Sequence, residues 1–226
     1  MTRSPEKQDL VRSLGARPVV ADALDPDQVA QAVAEAEPDV IVHQMTALSG
    51  DFDMRHIDRF FDVTNRLRTE GTDHLLAAGR AVGVKKFVAQ SYAGWPFARV
   101  GGDQAELIEK RQWPILGDGG GVWSFVHIAD AATATVEAIE HGERGVYNVV
   151  DDEPAPVREW LPAIAEALGA PRPRRVPRWL GRLLAGEAAA VMMTESRGAS
   201  NEKAKRELGW RPRYPSWREG FADGLG

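Results

Sequence analysis

The chain has 226 residues, 43% hydrophobic and 27% charged, a balance that builds a globular core and excludes wholesale disorder. Its formal charge of -5 argues against a surface made to neutralise the phosphates of nucleic acid. The absence of cysteine removes disulfides, thiolate metal sites and cysteine nucleophiles together.

The opening "MTRSPEKQDLVRS" is polar and has no apolar signal-like run. No apolar stretch approaches the ~20 residues of a membrane span, so a soluble, cytoplasmic protein with no membrane partner is expected. "ARPVVADALD" (16–25) gives a short β-branched run ending at Asp22. In "DPDQVAQAVAEAEPD", Val29, Val33 and Ala36 recur at helical spacing behind Asp25 as N-cap and Pro26 in the first turn. "DVIVHQ" (39–44) reads as a strand apolar on both faces. One long helix follows, with Ile57, Phe60, Phe61, Thr64, Leu67, Gly71, Leu75 and Ala78 on a single face and Gly83 closing it, and then the strand "KFVAQS" (86–91). Strands alternating with helices in this way predict an α/β protein with a parallel sheet.

Beyond residue 100 the pattern predicts a helix at "QAELIEKRQW", a strand at "WSFVHI" (123–128) and a helix at "DAATATVEAIEHG" buried through Ala132, Val136 and Ile139. A strand at "GVYNVV" (145–150) and a helix at "VREWLPAIAEALG" buried through Trp160, Leu161, Ile164, Ala165 and Leu168 come next. "GDGGG" (117–121) precedes a strand rather than opening a helix, and Val122 stands where a phosphate loop wants glycine, so it reads as a turn. "PRPRRVPRWLGRLL" (171–184) is an amphipathic basic stretch, read first as a solvated helix face and second as a contact for an anionic substrate or membrane surface. His127 and Asp130 lack a third ligand at metal-site spacing, so no metal is expected. "AQSYAG" lacks the nucleophile-elbow glycine two residues before its serine, which argues against a hydrolase triad at Ser91.

Seven segments, in this order, resemble the extended short-chain dehydrogenase/reductase family, the NAD(P)-dependent epimerases and dehydratases: "TRSP", "VADALD", "VIVHQMTAL", "TNRLRTEGTDHLLAAGRAVGVKKFVAQS", "WSFVHIADAATA", "GVYNVVDDEPAPVREW" and "NEKAKRELGWRPRYPSWREGF". The resemblance implies a Rossmann-like parallel sheet with flanking helices, incomplete at its N-terminus, plus a small C-terminal substrate-binding portion. It divides the chain at 1–112 for the NAD(P)-binding portion and 113–226 for the substrate portion, with 123–142 returning to the Rossmann core. It places Arg3 at the adenosine ribose or a 2′-phosphate, Asp22 and Ala23 at adenine, and His43, Gln44 and Met45 along the cofactor. Asn65 falls near the strand ends, and Ser91 stands at the catalytic serine position. On physical grounds Asp22, His43 and Ser91 all fall at carboxyl ends of strands, where open parallel sheets bind ligands. Two plainer readings stay open: Asp22 as a helix-capping acid and His43 as a satisfied strand-end histidine.

Two family features are missing from these residues. No glycine-rich loop leads from a strand into a helix, and the loss of the family's first strand is expected to leave an edge or gap in the sheet. The tyrosine with a lysine four residues on is also missing, since Tyr92, Tyr147 and Tyr214 are followed at that distance by Pro96, Asp151 and Arg218. Such a lysine would lower the phenol pKa for acid–base work, whose loss costs about 10²- to 10⁴-fold in rate. The expected junction lies between about Gly101 and Gln104, where the serine strand gives way to a substrate-domain segment. The resemblance therefore implies NAD or NADP held weakly and impaired turnover of a sugar-nucleotide or related carbonyl/alcohol substrate. Its alternative is a non-catalytic nucleotide-binding or interaction protein of the same descent. A marginal fold and a possible homo-oligomer are expected with it.

Overall fold

A computed structural model describes residues 1–47, 57–91 and 107–224, without the side chains of residues 57, 58, 60 and 224. It divides into two compact units, Met1–Ser91 and Tyr92–Gly226.

In the first unit, a short helical turn at Pro5–Lys7 leads into α1 (Gln8–Ser13), and Thr2 on one side of that segment bridges Val20 on the other in parallel. Helix α2 (Pro26–Ala36) begins as the sequence predicts: the Asp25 carboxylate accepts from Asp27 N and Gln28 N at 3.0 and 3.1 Å, and Pro26 occupies N1. Strand β1 (Val40–His43) pairs in parallel with β2 (Lys86–Ala89), Val40 opposite Lys86 through His43 opposite Ala89. Val29 and Val33 from α2 meet Ile41, Leu75 and Ala78 in one apolar cluster, with Met45, Val84 and Phe87 at its margin. Ala36 is exposed, and Val42 is 39% exposed, so β1 buries only one of its two faces among the described residues.

The long helix expected from periodicity is two helices, α3 (Ile57–Arg68) and α4 (Glu70–Val82). Thr69 between them has φ -100° and ψ -80°, and its hydroxyl donates back to the Asn65 carbonyl at 2.9 Å. The Leu67 carbonyl is taken by His43 Nε2 at 3.1 Å. A side-chain donor thus competes with the helix ladder at the break. Thr64, Leu67, Gly71, Leu75 and Ala78 are buried as predicted, and Gly83 closes α4 in the left-handed region at φ 77°. Phe60 lies outside the described side chains.

In the second unit, β3 (Ile115–Leu116) pairs in parallel with β6 (Arg175–Val176), and β4 (Val122–Trp123) pairs antiparallel with β5 (Ala155–Pro156). Helix α5 (Ile128–Glu140) precedes β5, and α6 (Val157–Ala167) follows it directly. The chain ends in α7 (Arg178–Glu195), α8 (Glu202–Leu208) and α9 (Trp217–Gly224). Trp160, Leu161, Ile164 and Ala165 are wholly buried, as the α6 pattern predicts, and Val157 joins them; the predicted Leu168 is only half-buried, at the C-cap. Trp160 stands 4.7 Å from Trp123 and 5.4 Å from Phe125 between ring centroids, and Phe125 lies 5.1 Å from Phe221 of α9.

Three expectations change here. The α5 face is Asp130 and Ala134 rather than Ala132 and Val136, because the Asp130 carboxylate accepts Arg213 N and Tyr214 N at 2.7 and 2.9 Å. Residues 145–150 form no ladder; side chains take their carbonyls instead, Lys203 at Val146 and Asn201 at Val150. The strand at 123–128 shortens to β4, since His127 already caps α5 by accepting Ala129 N at 3.2 Å. The helix expected at 104–113 is described only from Leu107 to Glu109, and the junction at 101–104 lies outside the described residues.

The glycine run forms a turn, as expected, and it is spent on packing. A Cβ on Gly119 would stand 2.6 Å from Ile115 and 3.0 Å from Arg158 N, and one on Gly121 would stand 2.4 Å from the Met192 carbonyl. Only glycine fits between these elements.

Candidate functional site

In the first unit the parallel ladders put chemistry at one end of each strand. Because Thr2 and Val20 run parallel, Arg3 and Asp22 follow the same end of that bridge. Because β1 and β2 run parallel, Gln44 and Met45 share an end with Gln90 and Ser91. Helix α4 ties the two together: His74 Nδ1 donates to the Ala23 carbonyl at 3.0 Å, and Leu75 of the same helix packs on Ile41 of β1. This is the location at which open parallel sheets bind ligands.

The individual residues divide by how free they are. Arg3, Asn65 and Ser91 are exposed. The Asp22 carboxylate accepts Leu24 N at 3.0 Å, turning the chain toward the α2 cap; Asp25, not Asp22, caps the helix. Ala23 is 3% exposed and lies against Gly71, so only its backbone can face a ligand. Met45 is half-buried and packs at the margin of the core cluster, while Gln44 is exposed.

His43 is 3% exposed, and both ring nitrogens are engaged: Nε2–H donates to the Leu67 carbonyl and Nδ1 accepts Met45 N at 3.2 Å. Burial pulls its pKa below the ordinary histidine value, the hydrogen bond to Leu67 opposing, so the ring is neutral near pH 7. Its ring geometry fixes the mouth of β1 to the α3–α4 break, which sets Asn65 and Thr69 beside that mouth. Three residues that motif reading missed do similar work. Thr64 accepts Ala47 N at 3.0 Å, His74 holds Ala23, and Arg68 donates to the Gln90 carbonyl next to Ser91. Thr64 was marked only by its place on the buried helix face, and nothing local signals the other two.

Outside this unit the tyrosines of the described residues are occupied. Tyr147 donates to the Glu143 carbonyl at 3.2 Å beneath Lys203, and Tyr214 donates to Asp223 at 2.8 Å. The Asp223 bond and burial raise the Tyr214 pKa, the opposite of activation. Tyr92 lies outside the described residues. His127 Nδ1 and the Asp130 carboxylate accept from backbone amides, and His127 Nε2 stands 3.6 Å from Asp223. Glu137, Glu140 and His141 cluster at the surface end of α5, where His141 already contacts Glu137 at 2.9 Å. Among the described residues no helix is long and apolar enough to cross a membrane.

A family model described as NAD(P)H-binding matches residues 1–112. A 3-diazoavenalumate denitrifying reductase from a Streptomyces species is 37% identical over 263 residues, covering 91% of this chain and 86% of the reductase. That span exceeds the whole of this chain, so the alignment opens gaps within it amounting to several tens of residues. Among solved structures, a double mutant of the dTDP-glucose 4,6-dehydratase from Streptomyces venezuelae with NAD bound superposes at a TM-score of 0.68 with 18% identity, covering 100% of this chain and 84% of the dehydratase. The UDP-glucose 4-epimerase of Thermotoga maritima superposes at 0.66 with 17% identity, covering 93% and 83%. These likenesses establish a Rossmann-like α/β fold of the epimerase/dehydratase type. The chain belongs to the extended short-chain dehydrogenase/reductase family and carries its NAD(P)H-binding domain over residues 1–112.

Proposed function

We propose that this protein is an NAD(P)H-dependent reductase whose reaction needs hydride but no proton from a protein tyrosine. The observation that carries this reading is the state of the tyrosines: Tyr147 and Tyr214 are hydrogen-bonded elsewhere, and none of the three has a lysine four residues on. Reduction of a carbonyl, the chemistry first expected, leaves an alkoxide that must be protonated. Replacement of a diazonium group by hydrogen has no such demand. Hydride adds at the carbon bearing the diazonium, the carbon–nitrogen bond breaks with its electrons leaving on dinitrogen, and the charges balance. The reductase similar to this chain carries a denitrifying activity in its name, on a substrate that is a diazo-bearing carboxylate.

NADH or NADPH, when bound, supplies the hydride. Arg3 and Asp22 would hold the adenosine end, with the Ala23 backbone between Asp22 and α4. Gln44 and Met45 would lie along its middle, and Asn65 and Ser91 would face its reacting end. His43 acts as a positioning residue through Leu67 and Met45. The fit is partial: the strand ends offer polar groups to the two nucleosides, but the glycines at 117–121 cannot cradle the pyrophosphate. Weak binding follows, and the assay needs high nucleotide concentrations.

The test uses NADPH or NADH deuterated at the transferable position, with an arenediazonium carboxylate as probe. Protein-dependent transfer of deuterium to the carbon that lost nitrogen is expected above the rate without protein. Nucleotide binding without any loss of nitrogen would mark a non-catalytic nucleotide-binding protein, and a denitrified product carrying solvent hydrogen in place of the deuterium would refute hydride delivery.

A further inference from the structure

Helix α7 is broken. Gly186 has φ 89° and ψ 168°, and the two limbs on either side of it are tied together by ion pairs: Arg178 with Glu195, Arg182 with Glu187, and Arg178 with Glu187 at 3.9 Å. A Cβ on Gly117 would touch Thr194 and Arg178 at once, so the start of one limb lies beside the end of the other. The inner side is packed through Gly181 against Leu116 and through Ala189, Ala190 and Met193. The outer side faces solvent at Trp179, 69% exposed, and Leu183, 73% exposed. Within this elbow lies an open cavity of about 830 Å³, lined by Arg178, Trp179, Arg182, Leu183 and Glu187.

We infer that the elbow of α7 is a binding site for a flat, apolar carboxylate such as an aromatic acid. The choice of a carboxylate rests on the reductase reading above; the rest comes from the cavity. Its size falls in the range of about 300–1,000 Å³ that small-ligand sites occupy, and an indole with a leucine beside it offers a platform for a planar apolar body. Two guanidiniums supply the forked donors that match a carboxylate. Arg178 and Arg182 are balanced by Glu187 and Glu195, so a ligand carboxylate binds here by taking the place of Glu187. Glu187 is about half-exposed and reaches both arginines, so it holds their guanidiniums at the cavity and swings to solvent when a ligand carboxylate replaces it. An anionic bilayer is the competing occupant, and Glu187 and Glu195 among the arginines disfavour it.

The probe is 4-hydroxycinnamate, titrated calorimetrically into the full chain without nucleotide, with its methyl ester as the uncharged control. Saturable binding is expected, weakened about tenfold or more in Trp179→Ala, in Arg182→Gln and for the ester. Both side chains are exposed, and unchanged thermal transitions show that the variants fold. No saturable binding, or binding indifferent to both substitutions, overturns the assignment. Sedimentation with phosphatidylglycerol vesicles in the absence of acid binding does so too, and marks a membrane-docking helix. Because no nucleotide is present, failure here leaves the hydride reading standing, and failure of deuterium transfer leaves this site standing.

Discussion

Asp151 offers a direct test of how burial is arranged in the second unit. It is 3% exposed; its Oδ1 accepts Glu153 N at 3.3 Å, and its Oδ2 has no hydrogen-bond partner among the described residues. Burial, with Glu153 and Asp152 nearby adding repulsion against backbone hydrogen bonds that oppose it, pushes its pKa from an ordinary 3.8 to about 7. An acid with a raised folded pKa holds its proton more tightly in the folded chain. Its contribution to stability is therefore full below pH 3.8 and is lost as pH rises from there through 7. The part lost between pH 5 and pH 8 is about 3 kcal/mol, at 1.36 kcal/mol per unit. Asp151→Asn keeps the acceptor toward Glu153 and cannot ionise. Urea denaturation of both proteins at pH 5 and pH 8, followed by tryptophan fluorescence, subtracts every other titrating group. The difference between variant and wild type should move by about 3 kcal/mol in the variant's favour on going to pH 8. A difference that stays constant, or moves toward the wild type, refutes the buried-acid account.

Gly121→Ala should cost about 2–4 kcal/mol, read as a lower urea midpoint, because its Cβ would meet the Met192 carbonyl at 2.4 Å and α7 backbone cannot move aside cheaply. An unchanged midpoint would mean that the turn and α7 are not in register. For His43, NMR titration of the ring should place its pKa below the free-histidine value of about 6.5. Since the folded ring resists protonation, its contribution to stability is lost as pH falls through that value, and a ring that titrates above it would contradict the burial of His43.

What the sequence made legible is local. The Asp25–Pro26 cap, the buried Val29 and Val33, the β1 and β2 segments and the apolar face of α6 from Trp160 to Ala165 follow from spacing and capping chemistry, and the structure keeps them. Periodicity could not reveal the α3–α4 break, because Leu67, Gly71 and Leu75 stay in phase across it; the cause is His43, 24 residues upstream. The α5 face was misread for the same kind of reason: Asp130 turns inward only because two backbone amides from residues 213 and 214 are waiting for it. Asn201, which bridges Val150 and Asp152, carries no local mark at all. In the candidate site, strand ends were readable from the α/β pattern, whereas the supports of those ends are long-range hydrogen bonds that no window of sequence contains.

The turn at 117–121 bears on how such a chain changes over evolutionary time. Its glycines are the densest in the molecule and the natural raw material for a phosphate-holding loop, yet Gly119 and Gly121 sit under Ile115, Arg158 and Met192 with no room to spare. Substitutions that reshaped this turn toward a ligand would first pull apart the helices packed on it. Within these residues, stronger dinucleotide binding is therefore a matter of inserted backbone and not of point mutation, and a library built by single substitutions should fail to find it.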